Sequence, residues 1–350
     1  MIPLKTYACY LKNDEIRMSS SSGAAFSALA SYVFSLDGVV YGVAMVEDCY
    51  SAEFISVTDE NGLKMLRGSK YLQARVGGTY KNVKRDLDAG KTVLFTGTGC
   101  QINGLKNFLG KDYENLICVD VICHGAPSPA LWREYAQHQE KTHEGKLKHI
   151  NFRCKDNSWT DFGMKEAVQN IPNGKIRKEY ISKDKDPFML MFLRDYCLRP
   201  SCYECKAKEN KLSDLTMADF WGIQKVAPEM NDNRGISLVL VRTQKGMEIF
   251  NRICKNMVIK EVSYEDGVRS NPADYRSAAR PSQRDNFFVD MHNLSFDELT
   301  AKYAVPAKIS VKTKMKRIIK NAIKKITPGG GIPLTPTTDY YLCFVFVQSD

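Results

Sequence analysis

The chain has 350 residues and a formal net charge of +10, and hydrophobic and charged residues make up 43% and 26% of it. This composition excludes a disordered chain, a collagen-like chain and a small disulfide scaffold, and the length is enough for one large domain or two smaller ones. A basic total would suggest a nucleic-acid or membrane partner. However, nine basic residues and no acidic one lie between positions 301 and 338, so the rest of the chain is nearly neutral.

The N-terminal sequence MIPLKTYACYLKND lacks the apolar core and cleavage site of a signal peptide. No stretch approaches the roughly 20 apolar residues that span a bilayer. We therefore expect a cytoplasmic protein, whose thiols stay reduced. Its 11 cysteines are then expected to be metal ligands, redox groups or buried small residues rather than disulfides.

Strand and helix patterns alternate in the first third of the chain. Apolar strands are predicted at residues 7–10, 38–44, 92–95 and 116–122. Helical periodicity is found at residues 26–34, 83–87 and 101–108. This alternation predicts an α/β fold, a sheet flanked by helices with ligand sites at the strand ends.

The later part of the chain is more mixed. A polar, β-rich stretch runs from about residue 147 to 180, and a helix at 188–196 is followed by a cysteine-rich segment. A core strand and a helix are then predicted at 236–241 and 247–254. We predict three parts: residues 1–90, residues 91–300, and a basic, partly flexible tail at 301–350.

The most informative local feature is a cluster of three cysteines, Cys197, Cys202 and Cys205. Their C-x4-C-x2-C spacing is the one with which plant-type ferredoxins supply three of the four thiolates of an iron–sulfur cluster. Three lysines follow within six residues and would favour thiolates. Spacing cannot identify the fourth ligand, but Cys100 and Cys123 stand at predicted strand ends and are the best candidates.

Two alternatives to an iron–sulfur cluster stay open at this point. Zinc also binds C-x2-C pairs, although no second pair lies at zinc-finger distance. Unliganded structural cysteines are the other alternative. We expect the remaining cysteines to be ordinary buried or surface thiols, namely Cys9, Cys49, Cys118, Cys154, Cys254 and Cys343.

Two segments contain small and hydroxyl residues where a helix is expected to begin. TGTGCQ (residues 96–101) follows a buried strand, and its helix N-terminus would offer free N–H groups to an anion. It matches neither the Walker A motif nor GxGxxG, and a simple tight turn explains it as well. SSSSGA (residues 19–24) is a similar start, for which a helix N-cap is an equal explanation.

Two further loops combine polar groups with chemistry-bearing side chains. RGSKYLQ (residues 67–73) offers cations for phosphate and a ring for stacking, or is a solvated turn. CHGAPSP (residues 123–129) places His124 beside a cysteine. A lone histidine is usually structural, but in this setting it could donate a proton or bind a metal.

These segments, in this order, resemble the beta-subunit family of coenzyme F420 hydrogenases and dehydrogenases. The similarity extends from about residue 7 to residue 254 in seven ordered blocks. The blocks are SSSSGAAFSALA (19–30), GVVYG (38–42), RGSKYLQ (67–73), TGTGCQINGLKNFLG (96–110), CHGAPSP (123–129), CLRPSCYEC (197–205) and SDLTMADFWGI (213–223).

The resemblance implies a flavoprotein with FAD and a 4Fe–4S cluster. It would move electrons between a hydride-carrying substrate, F420 in the founding members, and a ferredoxin-like iron–sulfur partner. A flavin suits this role because a hydride carries two electrons and a cluster accepts one at a time. Residues 1–90 and 91–300 would be the family's N-terminal and C-terminal catalytic regions. No nucleic-acid partner is expected.

The resemblance also implies roles for individual residues. Cys197, Cys202 and Cys205 would be cluster ligands, with Cys100 chosen as the fourth. The residues that would line the FAD site are Ser22, Gly23, Lys70, Gln73, Thr96, Gly97 and Thr98. As catalytic residues, His124 and Ser128 would lie near the flavin or substrate.

The chain departs from the family pattern at three points. Gly99 replaces the proline of TGTPCQ, which loosens the turn but keeps Cys100, and Ala24 replaces a second glycine, where its methyl group is expected to crowd a phosphate. The ferredoxin module with which many members begin is not found in this sequence. Either a separate ferredoxin would deliver electrons, or part of the electron route would be lost.

Two other functions remain open. One is a non-catalytic iron–sulfur electron-transfer or scaffold subunit. The other is a zinc-containing binding module that uses the basic tail, in which seven basic residues interleave with four isoleucines over residues 312–326. That pattern is compatible with a helix on anionic lipid and equally with a solvated tail.

Overall fold

Eight of the eleven strands form one mixed sheet within residues 2–306, the part of the chain that the computed structural model describes. The strands are β1 Lys5–Leu11, β2 Val39–Met45, β3 Ala52–Val57, β4 Val93–Thr98, β5 Leu116–Val121, β6 Gly145–Cys154, β7 Gly163–Asn170, β8 Ile176–Ser182, β9 Leu215–Asp219, β10 Ser237–Val241 and β11 Met257–Glu261. Their order in the large sheet is β11-β1-β10-β9-β5-β4-β2-β3. The other three strands pair as β6-β7-β8.

Thirteen α-helices connect or cover these strands in the same residues. They are α1 Asp14–Ser19, α2 Ala25–Phe34, α3 Glu60–Leu66, α4 Thr79–Asp88, α5 Gly99–Leu109, α6 Pro129–Thr142, α7 Pro187–Leu193, α8 Lys206–Glu209, α9 Ile223–Val226, α10 Gln244–Ile253, α11 Tyr264–Val268, α12 Arg284–Asn293 and α13 Phe296–Tyr303. Four single-turn 3₁₀-helices lie at Pro200–Cys202, Pro228–Met230, Cys254–Asn256 and Pro272–Asp274. No helix within residues 2–306 is both long and apolar enough to cross a membrane.

The direction of the strands decides where loops meet. β2, β4, β5 and β9 are parallel neighbours, and β1 runs the same way because β10 is antiparallel to both β9 and β1. The carboxyl ends of five strands therefore lie at one edge of the sheet, which we call the carboxyl edge. In open α/β sheets, ligands bind at this edge.

Alternating side chains bury both faces of the sheet. In β4, Leu94 joins one core with α2 and α10, whereas Val93 and Phe95 face α4 and α5 on the other side. The helical spacing of Leu29 and Val33 places both on the buried stripe of α2. The sheet is thus covered by helices on both faces, and the predicted α/β class is confirmed.

A separate hydrophobic cluster, which we call the second core, joins β6, β7, α6, α7, α12 and α13. Its centre is aromatic: the ring of Trp132 lies 4.9 Å from Phe152 and 5.0 Å from Phe188. The indole Nε1 donates a hydrogen bond of 2.8 Å to the carbonyl of Cys49, after β2. The β-rich stretch predicted after residue 147 corresponds to this three-stranded sheet.

Some element boundaries differ from the sequence prediction for identifiable reasons. Residues 96–98 belong to β4 and not to a turn, because they pair with Val119–Val121 of β5. The helix predicted to reach residue 196 ends at Leu193, and Asp195 beyond it has a left-handed φ of +64°. Strand β9 was not predicted, because its buried Thr216 interrupts the apolar pattern. The predicted basic tail lies outside the described residues.

Candidate functional site

The first cysteine of the candidate site stands where β4 passes into α5. Gln101 forms a capping box with Thr98, whose N–H donates to the Gln101 side-chain oxygen at 2.9 Å. The Thr98 hydroxyl lies 3.2 Å from the Cys100 Sγ, and Cys100 is exposed. The cap therefore fixes an accessible thiol in the first turn of α5, at the carboxyl edge.

Four thiols from three segments are close enough to act on one another. Burial raises the pKa of the Cys123 thiol to about 12; the charge of Cys100 adds to this rise, the Lys208 ammonium opposes it, and the charges of Cys202 and Cys205 raise it further. Burial also raises the pKa of Cys202, and the charges of Cys205 and Cys100 contribute to that rise. Cys123 thus lies within electrostatic range of Cys100, Cys202 and Cys205, and we call these four residues the thiol centre.

Backbone contacts hold the two cysteine loops together. Residues 123–129 and 197–205 meet through an antiparallel bridge between Pro127 and Leu198 and a hydrogen bond of 3.0 Å from Arg199 N–H to the Ala126 carbonyl. The Ala126 N–H donates to the Cys202 Sγ at 3.3 Å. These contacts explain why Cys123, 79 residues before Cys202 in the chain, comes near the C-x2-C pair.

Cys197 occupies a different position from the other predicted ligands. It is fully buried and belongs to the second core, where burial raises its pKa to about 12. The charged groups that act most strongly on it are Asp195 and Arg284, and not the other thiols. Its assignment as a ligand stays a prediction. Within residues 2–306, no group of three or more His, Cys, Asp or Glu side chains is arranged to hold a metal ion.

His124 follows the thiol Cys123 and lies beside a carboxylate. Its Nε2 lies 2.7 Å from Asp195 Oδ1, and its ring meets the Phe192 ring edge-on at 5.1 Å. Asp195 is 7% exposed, and its left-handed backbone is strained for a residue other than glycine. The carboxylate and the edge-on Phe192 ring therefore lie on the imidazole next to Cys123, although His124 Nε2 and Asp195 Oδ1 are not aligned for a hydrogen bond. Asp195 lacked any sequence signal, since it stands 71 residues from His124.

Ser128 has a clear local role in the structure. Its hydroxyl accepts a hydrogen bond of 3.3 Å from Ala130 N–H and caps α6, whose first residue is Pro129. Its own N–H donates to the Cys197 carbonyl at 2.8 Å. These bonds position the 123–129 loop, and a catalytic role for Ser128 stays a prediction.

The loop of residues 19–24, which we call the serine loop, contacts the loop of residues 67–73. The hydroxyls of Ser21 and Ser69 lie 3.0 Å apart, and Ser69 N–H donates to Ser21 Oγ at 2.8 Å. The Ser22 hydroxyl donates to the Ile236 carbonyl at 2.7 Å. The fold therefore joins two of the three segments that were predicted to line a flavin site, while the Ser22 side chain already has a partner within the chain.

Two residues at the start of α2 show why glycine is favoured there. A Cβ on Gly23 would lie 2.4 Å from the Cys9 carbonyl oxygen and 2.6 Å from Ser237 N, so the backbone passes between β1 and β10. Ala24 is the N-cap of α2 with a φ of +68°, a conformation that glycine adopts without strain. Backbone geometry at position 24 is sufficient to explain the glycine usual in the resembling family, without any contact to phosphate.

Lys70 is engaged in capping a helix. Its ammonium donates to the carbonyls of Met65, Leu66 and Arg67 at 2.9, 2.9 and 2.8 Å, at the C-terminal end of α3. An ammonium has three N–H donors, so these bonds use all of them. Burial lowers the pKa of Lys70 to about 7. Gln73 lies in the same loop and is partly exposed.

The end of β4 completes this group of predicted flavin residues. The Thr96 hydroxyl donates to the Tyr41 carbonyl at 3.1 Å. A Cβ on Gly42 would lie 3.1 Å from both the Thr96 hydroxyl and a methyl of Leu66, and one on Gly97 would lie 3.3 Å from the Phe54 ring. The end of β4 and β2 therefore lie close to the end of α3, from which the 67–73 loop continues. The role of these residues in binding a flavin stays a prediction.

The structure adds an ion pair that was not predicted from the sequence. Arg153 of β6 forms a bidentate pair with Asp219 at the carboxyl end of β9, at 2.7 and 3.1 Å. The indole Nε1 of Trp159 donates to the same carboxylate at 2.7 Å. In the sequence, the only indication that Asp219 matters is its position in the block SDLTMADFWGI. The pair ties the second sheet to the carboxyl edge.

A cleft of about 210 Å³ lies beside this ion pair and the serine loop, and its lining includes Ser19–Ser21, Gly68, Arg153 and Lys155. The Lys155 ammonium, just after β6, donates to the carbonyls of Arg17 and Arg234, both at 2.8 Å, and to the Ser22 carbonyl of the serine loop at 3.4 Å. Burial lowers the pKa of Lys155 to about 8. A small polar cleft thus opens between the loops.

Comparison with known proteins supports the family resemblance. The family model for the C terminus of the coenzyme F420 hydrogenase/dehydrogenase beta subunit matches residues 90–267, and the model for the N-terminal part of the same subunit matches residues 6–78. No curated protein matches the sequence significantly. Among solved structures, a chain of the F420-reducing [NiFe] hydrogenase complex from Methanosarcina barkeri has the same fold, with a TM-score of 0.50 and 15% identity over 78% of this chain and 88% of that chain. The protein belongs to the coenzyme F420 hydrogenase/dehydrogenase beta-subunit family, whose members are subunits of electron-transferring oxidoreductases.

Proposed function

We propose that this chain uses FAD and a 4Fe–4S cluster to move electrons between a hydride-carrying substrate, F420 or another, and a ferredoxin-like partner. The observation that carries the proposal is the thiol centre, in which cysteines from three segments of the chain converge at the carboxyl edge. Four cysteine thiolates are the usual ligand set of a 4Fe–4S cluster. The hydroxyl-rich loops beside them supply polar surface for a flavin.

The ligands in this proposal are Cys100, Cys123, Cys202 and Cys205, with Cys123 in the place first given to Cys197. The positive charge of Lys208 acts on Cys123 and favours its thiolate. Cys197 instead packs in the second core. Burial raises the pKa of both thiols to about 12, so the choice rests on position: Cys123 is within electrostatic range of the other three thiols, whereas Cys197 packs among apolar side chains.

The cofactors would divide the chemistry between them, because a flavin can accept a hydride and release single electrons. The residues of this chain would bind and orient the cofactors and the substrate. The first turn of α5, beside Thr98, offers backbone N–H groups to an anion. Lys70 and Lys155 hold the loops through their carbonyls. His124, beside Asp195, would exchange a proton with the substrate.

The test is anaerobic purification with metal, sulfide and flavin analysis, applied to wild type, Cys123→Ser and Cys197→Ser. Wild type should contain FAD and about four irons per chain. Cys123→Ser should lose most of its iron, whereas Cys197→Ser should keep it and lose only some stability. Loss of iron in Cys197→Ser with retention in Cys123→Ser would restore the first ligand set. A colourless wild type with one zinc per chain would refute the proposal.

A second candidate is an electron-transfer subunit that holds a cluster but no flavin. It is favoured by the engagement of Lys70 and Ser22 within the chain, which leaves fewer side-chain donors for phosphate. Flavin that survives gel filtration, together with oxidation of reduced F420 or another hydride donor by the purified chain, would exclude this candidate. Iron without flavin would support it.

A further inference from the structure

Two buried carboxyl groups meet one tyrosine hydroxyl in the second core. The Tyr135 hydroxyl lies 2.7 Å from Asp186 Oδ2 and also contacts Glu166 Oε1. Gln139 Nε2 lies 3.0 Å from the same hydroxyl. Tyr135 and Asp186 are 0% exposed and Glu166 is 2% exposed. This group of side chains is therefore shielded from water.

The hydrogen atoms available to this group require one carboxyl to be protonated. A tyrosine hydroxyl has one hydrogen to donate, so Tyr135 can donate to Glu166 or to Asp186 but not to both. The Gln139 amide donates to the tyrosine oxygen and supplies neither carboxyl through that contact. The second carboxyl can bond to the tyrosine oxygen only by donating a proton of its own. Without that proton, two oxygens would face each other with no hydrogen between them.

The surroundings also oppose two negative charges. Within residues 2–306, neither carboxyl forms an ion pair with lysine, arginine or histidine. The second oxygen of Glu166 is buried without a hydrogen-bond partner. Other titratable or charged groups nearby are Glu179 of β8 with its partners His143 and Arg177, Glu140 of α6 with Lys146, and the Cys49 thiol.

The direction of the pKa values agrees with the hydrogen count. Burial raises the pKa of Glu166 to about 7; hydrogen bonds from Tyr135 and Gln139 oppose the rise, and the charge of Asp186 contributes to it. Burial raises the pKa of Asp186 to about 6, against hydrogen bonds from Met189 N–H and Tyr135. Both groups would otherwise be ionised at neutral pH.

We propose that Glu166 and Asp186 share one proton at neutral pH, and that release of this proton to solvent loosens the start of α7. Asp186 is the N-cap of α7 and accepts a hydrogen bond of 2.8 Å from Met189 N–H, while Glu166 lies on β7. Like charges on these two elements would repel each other across the Tyr135 hydroxyl.

The Glu166–Asp186 pair is connected to the candidate site through α7. The Phe192 ring near the end of this helix contacts the ring of His124 at 5.1 Å and the ring of Tyr71 at 5.3 Å. A movement of α7 would therefore shift one wall of the site. The inference does not depend on the identity of the cofactors, because every group that it uses belongs to the second core.

Because folding raises both pKa values, the folded protein should lose stability as the pH rises. In the unfolded chain both carboxyls titrate near pH 4, so between about pH 4 and pH 7 the folded state binds at least one proton more than the unfolded state. Stability is then fully present below this window and falls as the pH rises through it. The unfolding equilibrium constant should rise by about tenfold per pH unit for each extra proton bound.

The experiment is urea unfolding of the full chain at pH 5 to 8, comparing wild type with Glu166→Gln. The amide keeps the shape of the side chain but cannot ionise, so the variant should lose most of the pH dependence and should be at least about tenfold less unfolded than wild type at pH 8. Parallel loss of stability in both proteins would overturn the proposal.

Glu140→Gln is the matched control on α6. Burial raises the pKa of Glu140, but hydrogen bonds from Lys146 and the Leu147 N–H bring it below its ordinary value. This variant should be less stable at every pH tested and should keep the wild-type slope. A slope abolished equally by Glu140→Gln would refute the assignment to Glu166 and Asp186.

Two further measurements keep the test decisive if Glu166→Gln folds poorly. Asp186→Asn retains a side chain that caps helices and should also flatten the pH dependence. Infrared difference spectra between pH 5 and pH 8 should show a protonated carboxyl in wild type that is missing from the variants. Hydrogen exchange, corrected for intrinsic rates, should show faster opening of residues 187–193 at pH 8 in wild type only. An unchanged carboxyl band and equal exchange would contradict the proposal.

Discussion

The carboxyl edge of the large sheet and the second core place polar groups in opposite environments. At the carboxyl edge, thiols and hydroxyls stand on loops that are held by backbone hydrogen bonds, and Cys100 is exposed. In the second core, aromatic rings enclose two carboxyls without an ion pair. Groups at the edge are therefore accessible to a ligand, whereas groups in the second core can act only through the position of the helices around them.

Arg153 is one of the residues that join the two regions. It belongs to β6 of the second sheet, pairs with Asp219 of the large sheet and lies 3.9 Å from the Phe162 ring centre. The two regions should therefore respond differently to substitution. Substitutions in the second core should lower the free energy of unfolding, and those at the junction should lower it by leaving a charge unpaired. Substitutions in the site loops should lower it only slightly.

The largest effect is expected for Trp132→Ala. The side chain is fully buried among aromatic rings and donates a hydrogen bond to Cys49. Its removal should lower the free energy of unfolding by about 3–5 kcal/mol, measured by urea titration. Phe108→Ala, at a ring that is 45% exposed, should cost less than about 1 kcal/mol. Equal losses in the two variants would show that the second core is not the stability-determining region.

At the junction, Arg153→Met should destabilise the protein by about 3 kcal/mol, because it leaves Asp219 without its cation. The double variant with Asp219→Asn should recover part of this loss. Lys165→Met removes an exposed pair with Asp156 and should change stability by less than about 1 kcal/mol. If Asp219→Asn gave no recovery, packing rather than charge would account for the effect.

In the site loops, Lys70→Met should lower the unfolding free energy by about 1–2 kcal/mol, since three α3 carbonyls lose a charged donor. The control is Lys64→Met, which removes an ammonium that donates to the exposed Asn61 side chain and should have almost no effect. Urea titration of both variants measures the difference. An Lys70→Met chain as stable as wild type would refute the capping role.

The smallest effect is expected at the start of α2. Ala24→Gly relieves a left-handed alanine but loses a buried methyl, so it should stabilise by about 0.5 kcal/mol. Ala25→Gly, one residue later and inside the helix, should destabilise by about 1 kcal/mol. Thermal melts of the two variants should therefore shift in opposite directions. A shift in the same direction would exclude backbone strain as the reason for glycine at position 24.

The sequence determined the parts of this protein that depend on local pattern. Strands and helices of the α/β sheet followed from periodicity, as in β5 and α2. The C-x4-C-x2-C spacing and the ordered blocks were sufficient to identify the family, which the matching models confirm. These features are encoded within short segments, so they could be recognised without knowing which segments meet.

Only the tertiary structure decided which side chains share a site. Cys197 and Cys202 belong to one motif, yet Cys197 is fully buried within the second core, whereas Cys202 is only partly buried at its border and lies within electrostatic range of Cys123. The choice depends on pairing between residues 123–129 and 197–205, which sets the direction of each thiol. Likewise, the sequence alone allowed Lys70 to bind a phosphate or to cap a helix. The structure places three carbonyls at the end of α3 beside its ammonium. Contacts between distant segments determine these outcomes, and the spacing of residues along the chain does not predict such contacts.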